Sequence, residues 1–121
     1  MSLYQEIILD HYRNPRNQGA LEHASHHGAA LNPTCGDSLQ MDIEVKNDTI
    51  EDVRFQGSGC AISQASASLL TEAIKGKSLA EAFGLSPEDV VKMVGVPLSP
   101  NRMKCSLLSL ETLKKTLNHN H

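Results

Sequence analysis

Alternation of apolar and polar side chains is the clearest pattern in the chain. Between Ser38 and Lys46, every second position is apolar: Leu39, Met41, Ile43 and Val45. This period of two is typical of a strand with one buried face. Asn47-Asp48 then predicts a tight turn, and residues 49–55 predict the returning strand of an antiparallel hairpin. A short third strand is predicted at residues 28–31.

Helical spacing precedes the hairpin. Residues 2–11 place four apolar side chains on one side of a predicted helix: Leu3, Tyr4, Ile7 and Ile8. The helix should end before Asn14-Pro15, because a residue that precedes proline is disfavoured in helical conformation. The polar stretch 16–27 predicts an irregular surface loop.

The second half of the chain has helical patterns. A helix is predicted from Ala61 to Lys75, ending at Gly76, with an inward stripe of Ile62, Ala65, Leu69 and Ala73. Two capping boxes predict short helices: Ser78 with Glu81, and Ser86 with Asp89. A last helix is predicted over 102–117, burying Leu107, Leu110, Leu113 and Leu117. This order predicts one α+β domain over 1–121, a three-stranded antiparallel sheet with helices on one face.

Composition narrows the classes of function. The 121 residues carry a net charge of -3 without a basic run, which argues against nucleic-acid binding. No apolar stretch is long enough for a membrane span, and the N-terminus has no secretory pattern. A cytoplasmic location is therefore expected, where disulfides are rare. The three cysteines are then either buried and inert, or they are thiolate ligands and nucleophiles.

The three cysteines lie at boundaries between predicted elements, where side chains from different parts of a sheet can converge. Cys35 precedes the first long strand, Cys60 precedes a helix, and Cys105 lies near the start of the last helix. Asp37 follows Cys35 across a glycine. Three thiolates and one carboxylate could bind zinc tetrahedrally, with the carboxylate as the weakest ligand. Inert buried thiols and a turn aspartate are the alternative.

Several ordered motifs extend this picture over nearly the whole chain. They are Asp10-His11-Tyr12-Arg13-Asn14-Pro15-Arg16-Asn17, Cys35-Gly36-Asp37, Gly59-Cys60-Ala61-Ile62-Ser63, Lys75-Gly76-Lys77-Ser78 and Lys104-Cys105-Ser106-Leu107-Leu108. With these motifs the chain resembles the U-type iron–sulfur cluster scaffold family, which comprises IscU, SufU and the N-terminal domain of NifU. The resemblance implies a SufE/NifU-like fold.

The resemblance also implies a site and partners. Cys35, Asp37, Cys60 and Cys105 would bind Zn²⁺ or a transient [2Fe–2S] cluster. We take Cys35 as the persulfide acceptor because its glycine-containing loop lets it leave the metal most easily. Sulfur would come from a pyridoxal-phosphate-dependent cysteine desulfurase and pass to a downstream acceptor protein. His11, within the opening motif, is expected to be structural or to face a partner.

Departures from the family pattern leave the type of member open. Arg102-Met103-Lys104-Cys105 resembles the SufU branch, whereas the length between the second and third cysteines resembles IscU. The segment 96–102 also lacks the motif with which IscU engages its chaperone. Three readings remain: a cluster scaffold that accepts sulfur, a zinc-dependent sulfurtransferase that only relays it, and a non-catalytic zinc adaptor. A thiol redox enzyme is disfavoured because the chain has no CxxC motif.

Overall fold

The computed structural model describes residues 3–33, 36–95 and 97–118. Its elements are α1 (Leu3–Arg13), β1 (His26–Asn32), β2 (Asp37–Lys46), β3 (Thr49–Ser58), α2 (Ala61–Ile74), α3 (Leu79–Phe83), α4 (Pro87–Val94) and α5 (Pro100–Asn118). The α+β class is confirmed, while the single domain over the whole chain stays a prediction. Among the described helices, none is both long and apolar enough to cross a membrane.

The three strands form an antiparallel sheet in the order β1-β2-β3. The predicted turn joins β2 to β3, and both Asn47 and Asp48 have positive φ, at 53° and 62°. Positive φ at both central residues is the geometry of a tight hairpin turn, and Asn and Asp tolerate it better than most residues. In the resulting register Met41 lies opposite Phe55, so the alternating apolar side chains share one face.

The prediction of an irregular loop over 16–27 is wrong at both ends. The strand β1 already begins at His26. In addition, the N–H of Phe55 donates to the carbonyl of Asn17, and the N–H of Gly19 donates to the carbonyl of Phe55, each at 2.9 Å. These backbone hydrogen bonds place residues 17–19 along the outer edge of β3. Backbone pairing of this kind leaves no hydrophobic pattern in the sequence.

The helices pack on the apolar face of the sheet. The last helix, α5, lies against β1 and β2, while α2 lies against β3 and α1 lies against α2. The core joins apolar residues of the strands to apolar residues of the helices: Met41, Ile43, Ile50, Val53, Leu70, Ile74, Leu110 and Leu113. A second cluster nearer to the start of β2 contains Leu39, Phe55, Ala67 and Leu108.

The inward stripe predicted for α2 is right at Ala65, which is buried, and one position out of register further along the helix. There Leu70 and Ile74 are deeply buried, whereas Leu69 and Ala73 are only half-buried. The error arises because α2 is enclosed by α1, α5 and the sheet, so that even serines on several of its sides are buried: Ser63, Ser66 and Ser68. A helix buried on most sides has no single apolar stripe.

The other helices follow the predictions more closely. Both capping boxes are present at the starts of α3 and α4. In α5 the four predicted leucines all contact the core, although Leu107 and Leu117 are only partly buried. In α1, Ile8 is buried and Ile7 is half-buried. The side chains of Leu3 and Tyr4 lie outside the described part of the structure.

Contact between α5 and β1 depends on a glycine. A Cβ added at Gly28 would lie 2.6 Å from both the backbone N and the Cα of Thr116. Real Cβ atoms do not approach backbone atoms so closely, so the absence of a side chain at Gly28 sets the distance between helix and strand.

His11 has a structural role, which is the first of the two roles expected for it, the other being contact with a partner. The ring is buried between α1 and α2, and its Nδ1 lies 2.7 Å from the hydroxyl of Ser68. Burial lowers the pKa of His11 below its ordinary value, and the positive charge of Arg16 acts in the same direction. The carboxylates of Glu72 and Asp10 oppose this shift but do not reverse it. His11 is therefore uncharged at neutral pH.

We expect the buried His11 to make stability depend on pH. As the pH falls below the ordinary pKa of 6.5, the unfolded chain takes up a proton that folded His11 resists, so the free energy of unfolding falls. One such group contributes a slope of at most about 1.4 kcal/mol per pH unit. We therefore expect the free energy of unfolding, measured by urea denaturation between about pH 7.5 and pH 5, to change less steeply with pH in His11→Gln than in wild type.

The matched control is His23→Gln, because the His23 side chain is 88% exposed. Its slope should equal that of wild type. A part of the wild-type slope should persist in His11→Gln, since burial also lowers the pKa of His26. Identical slopes for wild type and His11→Gln would contradict the assignment.

Candidate metal centre

Three of the four predicted site residues meet where three elements begin. Asp37 is the first residue of β2, Cys60 is the N-cap of α2, and Cys105 lies in the second turn of α5. The two thiol sulfurs and a carboxylate oxygen of Asp37 all lie within 4.8 Å of one another. Residues far apart in sequence thus form a compact group of potential metal ligands.

The carboxylate of Asp37 is held in a fixed orientation. Its side chain is buried, and Oδ1 accepts a hydrogen bond of 2.9 Å from the backbone N–H of Cys60. That N–H belongs to the N-cap residue of α2, at the helix end where the dipole stabilises a negative charge. The second oxygen, Oδ2, lies 3.8 Å from the sulfur of Cys60. One carboxylate oxygen is therefore anchored to the backbone, while the other faces the thiol.

Gly59 makes this close approach possible. A Cβ at Gly59 would lie 2.1 Å from Oδ1 of Asp37, and the glycine has a φ of +146° that residues with side chains rarely adopt. Any larger residue would displace the carboxylate. The glycine before Cys60 is thus part of the support of the site.

The site is open on one side. Cys60 is exposed, whereas Cys105 and Asp37 are both buried. A reactant arriving from solvent therefore meets the Cys60 sulfur before the deeper ligands.

The chemistry and spacing of the three ligand atoms fit zinc. Zinc–sulfur bonds of about 2.3 Å and zinc–oxygen bonds of about 2.1 Å place tetrahedral ligand atoms about 3.5 to 3.8 Å apart. The distance of 3.8 Å between Cys60 Sγ and Asp37 Oδ2 already matches this range. Ligand atoms that are up to 4.8 Å apart would need to approach one another by only about 1 Å to reach this range. Soft thiolates suit both zinc and iron–sulfur clusters, so the same residues can accommodate either.

The remaining predicted site residue, Cys35, lies outside the described residues, and its role stays a prediction. Arg102 and Lys104 precede Cys105 on α5, and both are exposed. Neither forms an ion pair with any residue that the structure describes. Two unneutralised cations therefore lie beside the thiol site.

Comparison with known proteins connects this geometry to a family. The family model described as "NifU-like N terminal domain" matches residues 3–120. The chain belongs to the NifU-like N-terminal domain family. The U-type resemblance drawn from the motifs is confirmed.

Relatives in the NifU-like family include both named branches. The chain is 39% identical to the zinc-dependent sulfurtransferase SufU of Bacillus subtilis, covering 94% of this chain and 88% of the relative. It is 46% identical to the iron–sulfur cluster assembly scaffold protein IscU of Aquifex aeolicus, covering 91% of this chain and 71% of the relative. The crystal structure of a putative iron–sulfur cluster assembly scaffold protein for the SUF system from Fervidobacterium islandicum has a TM-score of 0.79 at 31% identity. That match covers 93% of this chain and 94% of the other.

Length separates this family member from the Bacillus SufU. Their alignment spans 131 positions but covers 94% of the 121 residues, or about 114, so about 17 positions (131 − 114) have no counterpart here. The expectation that the spacing between the second and third cysteines is IscU-like fits this difference in length and stays a prediction. The basic pair before Cys105 and the IscU-like length therefore coexist in one molecule.

The sequence pattern missed how the site is supported. The N–H of Cys60 and the space left by Gly59 orient Asp37, and neither involves a metal-ligating side chain. The available signal was the run Gly57-Ser58-Gly59 immediately before Cys60. It indicated close approach of backbone at this point, but not which side chain would approach.

Proposed function

We propose that this chain is an iron–sulfur cluster assembly protein of the cytoplasm that accepts sulfur from a pyridoxal-phosphate-dependent cysteine desulfurase. The main support is the convergence of Asp37, Cys60 and Cys105, whose ligand atoms lie within 4.8 Å of one another. Cys35 completes the proposed ligand set on the evidence of the sequence motif. A downstream acceptor protein would receive the product.

Zinc, when bound, would hold the thiols as thiolates and protect them from oxidation. Asp37, Cys60 and Cys105 would be its ligands together with Cys35. The carboxylate is the hard ligand among soft sulfurs and the most readily displaced. Its hydrogen bond to the N–H of Cys60 gives it a stable position whether or not it binds a metal.

Sulfur uptake is a thiol exchange that needs no external oxidant. The thiolate of Cys35 attacks the terminal sulfur of the donor persulfide, forming a new sulfur–sulfur bond on Cys35. The sulfur–sulfur bond of the donor breaks, and the donor cysteine leaves as a thiolate. The cationic side chains of Arg102 and Lys104 favour the approach of such anionic sulfur species.

The fate of the sulfur distinguishes two candidate functions. As a scaffold, the chain would hold the sulfur while an external thiol reductant and ferrous iron supply the electrons that reduce it to sulfide, and would then release the [2Fe–2S] product. The chain's likeness to a relative named IscU supports this. As a sulfurtransferase, it would pass the sulfur on while retaining zinc. The likeness to a relative named as a zinc-dependent sulfurtransferase, together with the cations before Cys105, supports this second candidate. We place the scaffold first because a readily displaced Asp37 suits the release of a cluster.

The test is to measure zinc, iron and acid-labile sulfide per chain. The zinc-loaded protein is incubated anaerobically with the desulfurase of the same genome, cysteine, ferrous iron and a thiol reductant. A scaffold should gain iron and sulfide together while zinc leaves. Retention of zinc with persulfide on Cys35, but without iron, would reject the scaffold in favour of the sulfurtransferase.

Variants separate both candidates from a non-catalytic adaptor. Cys35→Ser should abolish sulfur uptake, since a hydroxyl at this position is a far weaker nucleophile than a thiolate. Ser58→Ala, at an exposed position near the site, is the control and should take up sulfur normally. If neither wild type nor Cys35→Ser takes up sulfur, and Cys35→Ser loses only stability, the adaptor interpretation is correct.

A further inference from the structure

A groove lies between the end of β1 and the outer side of α5. Its volume is about 440 Å³. Apolar side chains line it: Leu31, Pro87, Leu107, Leu108 and Leu110. The groove differs from the thiol site but adjoins it, because Lys104 lines the groove and the next residue along α5 is Cys105.

The rim of the groove is positively charged. Lys104 and Lys114 line it, and neither forms an ion pair within the described part of the chain. The acidic lining residue, Glu111, is paired with Lys115 at 3.3 Å. Two unneutralised cations on a chain of net charge -3 form a local field opposite to that of the whole molecule.

Large apolar side chains are also exposed here. Leu31 is 69% exposed at the edge of the groove, although it belongs to a regular strand. Phe83, which is 43% exposed, lies beneath the ammonium group of Lys114, with 5.9 Å between the nitrogen and the ring centre. Apolar surface bordered by charge is typical of protein docking sites.

We propose that this groove binds an extended segment of the sulfur donor, in which an apolar side chain is flanked by carboxylates. The apolar lining would take the apolar side chain, and the carboxylates would pair with Lys104 and Lys114. This proposal rests on the proposed function, which requires a protein to deliver sulfur to the neighbouring thiols.

Binding in this groove would bring the sulfur donor close to the thiol site. A donor attached there is held beside Cys105, which raises the effective concentration of its persulfide at the site. The two lysines also select against partners with basic segments, because like charges repel at short range. Lys114 would thus serve docking alone, whereas Lys104 would serve both docking and the approach of sulfur to the thiols.

Charge reversal at Lys114 tests the proposal without altering the thiol site, because Lys114 lines the groove but is not a candidate metal ligand. We expect Lys114→Glu to weaken the binding of the desulfurase about tenfold, and to remove part of the salt dependence of that binding. Leu31→Ser should weaken binding at all salt concentrations, because it removes apolar surface rather than charge. For both variants, the KM for the desulfurase in sulfur transfer should rise with little change in kcat, and the zinc content should remain that of wild type.

The matched control is Lys46→Glu. It makes the same change of charge at the exposed end of β2, which is the opposite end of the strand from Asp37. Its affinity should equal that of wild type. A photo-reactive amino acid at position 31 should crosslink to the donor, and mass spectrometry should place the crosslink in a segment with both apolar and acidic residues.

These experiments distinguish failure of the groove proposal from failure of the proposed function. If wild type accepts sulfur but both variants bind the desulfurase as Lys46→Glu does, the groove proposal is wrong and the proposed function stands. If wild type accepts no sulfur from any cysteine desulfurase, both fail. If the variants change the chain's self-association without changing donor affinity, the groove binds a second copy of the chain and the proposal is overturned.

Discussion

A Gly59→Ala variant should lose zinc affinity by about 10- to 100-fold while remaining folded. The new methyl group would lie 2.1 Å from Oδ1 of Asp37, so the carboxylate must leave the hydrogen bond that Cys60 donates. Effects of this size are usual when a supporting contact of a metal ligand is lost. Competition with a zinc chelator would measure the affinity, and circular dichroism would establish that the fold is retained.

Gly19→Ala is the control for backbone strain. Gly19 has a φ of +132°, similar to that of Gly59, but a Cβ there would meet no heavy atom within 4 Å. Both variants introduce a strained backbone, and only Gly59→Ala displaces Asp37. Equal zinc affinities in the two variants would show that collision with the carboxylate is not what matters.

The second large effect is expected on stability. Gly28→Ala should lower the free energy of unfolding by about 2 to 3 kcal/mol, in the range of overpacking substitutions. The added Cβ collides with the backbone N and Cα of Thr116, so α5 must move away from β1. Urea denaturation of the metal-free protein would measure the loss without a contribution from zinc binding.

Side-chain removal should not rescue this variant. Thr116→Ala removes the hydroxyl that a Cβ at position 28 would approach to 2.4 Å, but it leaves the backbone atoms in place. The double variant should therefore be no more stable than Gly28→Ala. Recovery of wild-type stability in the double variant would mean that the side chain of Thr116, rather than the helix backbone, limits the contact.

Local signals in the sequence predicted the hairpin and the short helices well. The turn at Asn47-Asp48 and the boxes that begin at Ser78 and Ser86 depend on residues within four positions of one another. Their hydrogen bonds join residues that are close in sequence, so the residue types at neighbouring positions are enough to predict them. Such features can therefore be read without knowledge of the tertiary structure.

Features that depend on distant contacts could not be read in this way. The inward face of α2 depends on how many neighbours enclose it, and the pairing of residues 17–19 depends on where β3 lies. The site is intermediate between these cases. Positions at element boundaries and the family motifs identified Asp37, Cys60 and Cys105, but the anchoring of the carboxylate needed the fold. The place of Cys35 in the site stays a prediction.

The pairing of residues 17–19 also concerns how the molecule behaves at high concentration. A bare strand edge offers backbone donors and acceptors to other chains and promotes aggregation. Here the N–H and the carbonyl of Phe55, near the middle of β3, are already bonded within the molecule. The polar segment after α1 thus blocks the addition of a foreign strand at this point. It keeps the edge of β3 closed, while Cys60 at the candidate metal centre stays exposed to solvent.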